Sequence, residues 1–250
     1  MVKKFTMSTF ANRSRNSPSQ LPCNRLLAAL PEPEYKRLLP SLKHVTFSLG
    51  DILYEPDAPQ DYLYFPTTSI VSLLYTTENG MTTGIGSVGS EGAVGITLFM
   101  SDDPVPNRAV VQIAGGALRM PAKILQREFK AGGPFQLLLL RYTQAFITQI
   151  SQLSVCNRLH SVVQRLCYWL LISQDRVNSN KLLITQEFLA NRLGTRREGV
   201  TVAAGRLQDA GIISYNRGHI MILDRSGLEA HVCECYQVIT NAFDHLLGNA

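Results

Sequence analysis

Short apolar runs broken by turn residues fill the chain from Val45 to about Met120. "ILY", "YLYF", "IVSLLYTT" and "AVVQIAG" alternate with Gly, Pro and Asp. Runs of this length, rich in β-branched and aromatic residues, predict strands. Their regular spacing predicts a small antiparallel barrel or sandwich. Glu78-Asn79-Gly80 reads as a hairpin turn, because Asn-Gly accepts positive φ.

The period changes after Pro121. Beyond the breaker "AGGP", residues 135–156 read as one long helix. Leu139, Phe146 and Leu153 recur every seven residues, with Thr143 and Ile150 offset by four, an imperfect heptad seam. The segment is more apolar than one packed face requires, so these five positions are the expected homodimer interface. The plainer alternative is a helix packed on its own domain. Arg141 interrupts the greasiest run, "FQLLLLRYTQAFITQI", and no transmembrane helix is expected. Residues 157–176 read as a further helix and "VNSNK" as a loop. No internal repeat is apparent.

"TQEFLANRLGTRREGVTVAAGRLQDAG", Thr185 to Gly211, has the pattern of two short helices around one glycine. Thr185 is placed to cap the first, whose apolar residues include Phe188, Leu189 and Leu193, while the small Ala190 permits close helix crossing. Gly194 follows it, where a left-handed backbone is cheapest for glycine. Thr195 and Glu198 form a T-x-x-E capping box for the second helix. Val200, Ala203, Ala204 and Leu207 fall at helical spacing and predict its buried face. That leaves Arg196, Arg197 and Val202 outside it, with Thr201 at its border. Two cations on a first helical turn oppose the helix dipole, an arrangement that favours a polyanion as partner. Arginine's planar fork pairs with guanine or phosphate, and a helix entering the major groove leads with its N-terminal residues. After Gly211, "IISYNRGHIMIL" reads as two short strands around Asn216–Gly218.

Charge supports the same partner. The net charge is +5, and residues 157–225 carry ten Lys/Arg against five Asp/Glu, whereas residues 26–156 carry nine against eleven. The first 25 residues hold five positive charges and no acid, and their serine content mimics a transit peptide, although a disordered tail is the preferred reading. Cys23, Cys156, Cys167, Cys233 and Cys235 are scattered and odd in number, which fits a reducing cytosol better than a disulfide framework.

The stretch from Thr185 to Leu223, preceded by a long helix and a β-rich unit, resembles the winged helix-turn-helix regulators of the Crp/Fnr superfamily. The resemblance spans roughly residues 27–225. It implies an α+β chain: a basic tail (1–26), a cyclic-nucleotide-binding-like, jelly-roll-like β-roll (27–133), a dimerisation helix (134–156), a winged helix-turn-helix (157–225) and a helical extension (226–250). By position, Arg197 and Glu198 match the pair that touches base edges. Val202 stands where the catabolite activator of that family has a second base-reading arginine; valine packs on a thymine methyl but cannot hydrogen-bond guanine. Thr185, Gln186 and Arg217 match phosphate contacts. Double-stranded DNA, a second copy of the chain and RNA polymerase are the implied partners, in the cytoplasm.

The resemblance also implies a ligand question. The family's cyclic-nucleotide sites use a Gly-Glu pair and an Arg-Ser/Thr-Ala triplet. Here Gly95 is followed by Ile96, and Asn107-Arg108-Ala109 occupies the triplet region. Cyclic-nucleotide binding is therefore disfavoured, and the effector is left open. An iron–sulfur cluster is disfavoured too, since Cys23 stands alone near the N-terminus. "HVCECY" offers His231, Cys233 and Cys235, but on a continuous helix the two cysteines point apart. A metal there needs an extended or distorted backbone, and no metal is assigned. No P-loop, H-E-x-x-H or G-x-S-x-G motif suggests an enzyme, and Asp102 and Asp103 read as a solvated turn. The remaining alternative is a ligand-binding signalling or scaffold protein whose C-terminal domain contacts protein.

Overall fold

The computed structural model describes residues 24–248 apart from Asp102 and Arg217. In chain order the elements are α1 (Arg25–Ala28), α2 (Glu32–Leu38), β1 (Lys43–Phe47), β2 (Ile52–Tyr54), β3 (Tyr62–Pro66), β4 (Ile70–Thr76), β5 (Thr82–Val88), β6 (Arg108–Ile113), β7 (Gly115–Pro121), α3 (Ala122–Ala131), α4 (Pro134–Leu159), α5 (Val162–Val177), β8 (Lys181–Leu183), α6 (Gln186–Arg192), α7 (Arg197–Asp209), β9 (Ile213–Asn216), β10 (His219–Ile222), α8 (Arg225–His231) and α9 (Cys235–Gly248). A 3₁₀ turn, Ile96–Phe99, lies between β5 and β6.

The strand texture folds into two antiparallel sheets, β1-β7-β3 and β2-β6-β4-β5, which make a β-sandwich. The Asn-Gly hairpin joins β4 to β5, with Gly80 at φ +82° and Thr77 N–H donating to Met81 O at 2.9 Å. Leu63, Phe65, Val71, Val88, Val111 and Met120 fill the interior, each at most 1% exposed. The chain is thus α+β: sandwich, long helix, and helix-turn-helix with a small sheet. The expected tail, residues 1–26, overlaps folded chain at Asn24–Leu26. The Asn24 side chain caps α1 and donates to Pro66 O and Gly92 O, and Leu26 is fully buried. The rest of the tail, with Cys23, lies outside the described residues.

The long helix α4 runs through Leu159, three residues beyond the expected end, and α5 starts only at Val162. The break is set by Ser161, whose hydroxyl and Gln164 form a capping box. The heptad positions of α4 turn inward. Leu139, Thr143, Phe146 and Leu153 are all at most 8% exposed, and Ile150 is half-buried. Phe146 and Ile150 lie against Gly86 of β5, and Tyr142 fits over Gly92 so closely that a Cβ there would stand 2.4 Å from its ring. Tyr142 Oη donates to Ala93 O at 2.9 Å. The expected self-association seam therefore faces the interior of this chain, with Phe146 and Ile150 against the sandwich. The apolar residues of α4 left exposed are Leu137, Leu140, Ile147, Val155 and Leu159, on another flank. α9 packs along α4 as well, with Phe243 6.1 Å from the Tyr142 ring. Among the described residues no helix is long and apolar enough to cross a membrane.

Candidate nucleic-acid interface

α6 and α7 form the helical hairpin. Thr185 Oγ1 accepts from Phe188 N–H at 3.2 Å, capping α6. Gly194 takes φ +56°, the left-handed conformation that glycine adopts most cheaply. The T-x-x-E box does not form. Arg196, not Thr195, is the N-cap of α7, and no side chain caps it. Thr195 instead lies over the first turn, where a Cβ on Gly199 would stand 2.5 Å from its Oγ1. The turn after Gly194 is one residue longer than the box pattern requires.

On α7, Val200, Ala203, Ala204 and Leu207 are buried, each at most 2% exposed. Arg196, Arg197, Glu198, Thr201 and Val202 are exposed, Val202 at 57%. Arg197 pairs with Glu187 of α6 at 2.7 Å, both largely exposed. An exposed pair of this kind stabilises by about 0–1 kcal/mol, so it is readily exchanged for a stronger anion. Thr201 Oγ1 donates back to Arg197 O at 3.1 Å. Thr185 and Gln186 sit at the exposed start of α6, on the rim of a cleft of about 640 Å³ that runs between α7 and the small sheet and is also lined by Thr201, Gln208, Tyr215 and Asn216. The sequence marks Asn216 only as a turn residue and gives Gln208 and Tyr215 no signal; only the fold brings the β9 end alongside α7. The small sheet has the order β8-β10-β9, so Lys181, at the end of the expected loop, and the two leucines after it add a strand before the hairpin. Arg217, at the β9–β10 turn, lies outside the described residues.

Behind this surface the hairpin rests on the sandwich. Arg176 of α5 is buried and pairs with Glu91 at 2.7 Å and with Ser87 Oγ at 2.7 Å. Arg192 of α6, 4% exposed, reaches Gly84 O at 3.5 Å. Burial holds its pKa below the usual arginine range.

The residues expected to take an effector do not gather on one cavity. Gly95 precedes the 3₁₀ turn at φ +101°. Asn107 accepts from Tyr54 Oη at 3.3 Å, and Ala109 is fully buried in β6. Arg108 is engaged by Glu55 through two nitrogens at 2.8 and 3.0 Å. A cavity of about 240 Å³ beside the 3₁₀ turn is lined by Asp57, Gln60, Ser101, Asp103 and Gln126, with no arginine or lysine among the described lining residues. Its carboxylates repel a phosphate. The cysteines of "HVCECY" do not share one helix, because α8 ends at His231 and Val232 is extended. Cys233 therefore lies in a break between α8 and α9.

Residues 164–231 match the Crp-like helix-turn-helix domain. That stretch of the chain is a Crp-like helix-turn-helix domain. Solved structures with the same fold include FixK2 from Bradyrhizobium japonicum, 15% identical, with a TM-score of 0.65, covering 77% of this chain and 98% of that one. A Crp/Fnr-family regulator from Eubacterium rectale is 20% identical over 82% of this chain and 96% of its own, with a TM-score of 0.61. TTHA1359 from Thermus thermophilus is 23% identical, with a TM-score of 0.56, over 75% and 97%. No curated protein matches the sequence. The matched domain is the DNA-binding type of helix-turn-helix found in Crp-like transcription regulators.

Proposed function

We propose that the protein is a homodimeric, sequence-specific regulator that inserts α7 into the major groove. One observation carries this reading: Arg197, Glu198, Thr201 and Val202 share the exposed side of α7, with the exposed N-cap Arg196 beside them, while its other side is buried. Arg197 and Glu198 read base edges, and Val202 packs on a thymine methyl. Thr185, Gln186 and Arg217 hold phosphates and fix the register. Two copies meet along the exposed flank of α4 that carries Leu140 and Ile147, and so read two half-sites about one helical turn apart.

The sandwich biases the placement of the two α7 helices through differential affinity for an effector. The acidic lining beside the 3₁₀ turn and the Arg108–Glu55 pair speak for a ligand other than a cyclic-nucleotide phosphate at that place.

Footprinting over fragments of the host genome tests the reading. Paired protected half-sites are expected, with affinity falling steeply as salt rises, because phosphate contacts release counterions. Sequence-blind binding, or binding indifferent to salt, would overturn it. Sedimentation of Ile147→Asp is expected to give monomer.

A further inference from the structure

Cys156 and His160 stand one turn apart at the end of α4, while Cys233 lies in the break between α8 and α9 and Cys235 opens α9. Their four potential donor atoms all lie within 4.8 Å of one another. We propose that these residues form a Cys₃His site for a zinc ion, which fastens the end of α4 to the C-terminal helices.

Two of the donor separations match the edges of a mononuclear tetrahedral centre. Zinc–sulfur bonds of about 2.3 Å place tetrahedral sulfurs about 3.8 Å apart. Cys156 Sγ and Cys233 Sγ are 3.6 Å apart, and Cys235 Sγ is 3.4 Å from His160 Nδ1. A polynuclear iron–sulfur centre spreads its thiolates over separate irons and needs a wider cage. At 3.6 Å the two sulfurs are also well beyond a covalent disulfide, about 2.05 Å. All three cysteines are at most 4% exposed, and the His160 side chain is 13% exposed. Four protein donors close the coordination sphere, as in structural rather than catalytic zinc sites.

The surroundings suit bound metal. His160 offers Nδ1 to the cage while Nε2 faces Glu234 Oε2 at 3.4 Å, the carboxylate–imidazole arrangement that orients metal-binding histidines. Gln152 Nε2 donates to Cys235 Sγ at 3.2 Å. Without an ion, burial and the neighbouring sulfurs hold the Cys156 thiol above its ordinary pKa. Binding releases the three thiol protons to solvent as three Zn–S bonds and one Zn–N bond form. His160 also caps α4 immediately before the break at Ser161, so the ion pins the junction from which the helix-turn-helix begins.

The test uses the full-length chain. Elemental analysis of protein purified after growth with zinc is expected to give one zinc per chain. Replacement by cobalt is expected to give thiolate charge-transfer bands and the strong visible absorption of tetrahedral cobalt. Both are lost in the Cys233→Ser/Cys235→Ser variant, and Glu234→Gln weakens zinc binding by roughly tenfold or more. Should the double variant misfold, the wild-type protein answers alone: chelation is expected to speed hydrogen exchange at residues 156–161 and 232–236, and zinc to restore protection. Wild-type protein with every thiol reduced that binds neither zinc nor cobalt would overturn the proposal. So would a Cys156–Cys233 disulfide in protein from a reducing cytosol, or full metal content in the double variant.

Discussion

Two pairs of arginines in the C-terminal half of this chain meet opposite fates. Arg196 and Arg197 open α7 in solvent, and the Arg197 side chain is 63% exposed. Arg176 and Arg192 are buried where α5 and α6 meet the sandwich, and Nε and Nη2 of Arg192 reach no protein acceptor among the described residues. An exposed guanidinium keeps its hydration until an anion displaces it. A buried one depends on its partner, because an unpaired buried charge costs several kcal/mol. The inner pair therefore fixes where the helix-turn-helix sits, and the outer pair is left for what it meets.

The contrast can be broken from the inside first. Glu91→Ala strands Arg176, and a loss of about 3–5 kcal/mol is expected in denaturant unfolding. Arg192→Met removes two buried donors that have no protein acceptor and is expected to stabilise by about 1–3 kcal/mol in the same assay.

From the outside, Arg197→Ala is expected to leave unfolding nearly unchanged and to cost about 1–3 kcal/mol of specific DNA affinity, read by fluorescence anisotropy at fixed salt. Unchanged affinity would favour a protein-contacting domain instead. Thr185→Ala removes the α6 cap, for about 1 kcal/mol of stability. The smallest change is expected from Glu187→Gln. It frees Arg197 at a stability cost below about 1 kcal/mol, and DNA binding tightens a few-fold as a competing carboxylate is neutralised.

What the sequence revealed was mostly what is decided locally. The Asn-Gly hairpin, the Thr185 cap, the left-handed Gly194 and the buried face of α7 each follow from a few neighbouring side chains, and each stands in the structure. The capping box failed because Thr195 and Glu198 satisfy a spacing, while the backbone chose Arg196 as the first flanking residue. The flank of α4 that faces outward was illegible for a different reason. That helix is apolar nearly all round, and which flank stays open depends on where the sandwich and α9 come to lie. The Cys₃His cluster joins residues more than seventy positions apart, and only the break after His231 turns Cys233 and Cys235 toward Cys156. The acidic lining beside the 3₁₀ turn is likewise assembled from separate loops.

The fit of Tyr142 over Gly92, with Phe146 against Gly86, has a mechanical corollary. Interlocked rings leave α4 no freedom to spin about its own axis or slide lengthwise without prising the sandwich apart. Any displacement of the sandwich is therefore expected to carry α4 with it as one lever, reaching the far end of the shaft as a change of tilt.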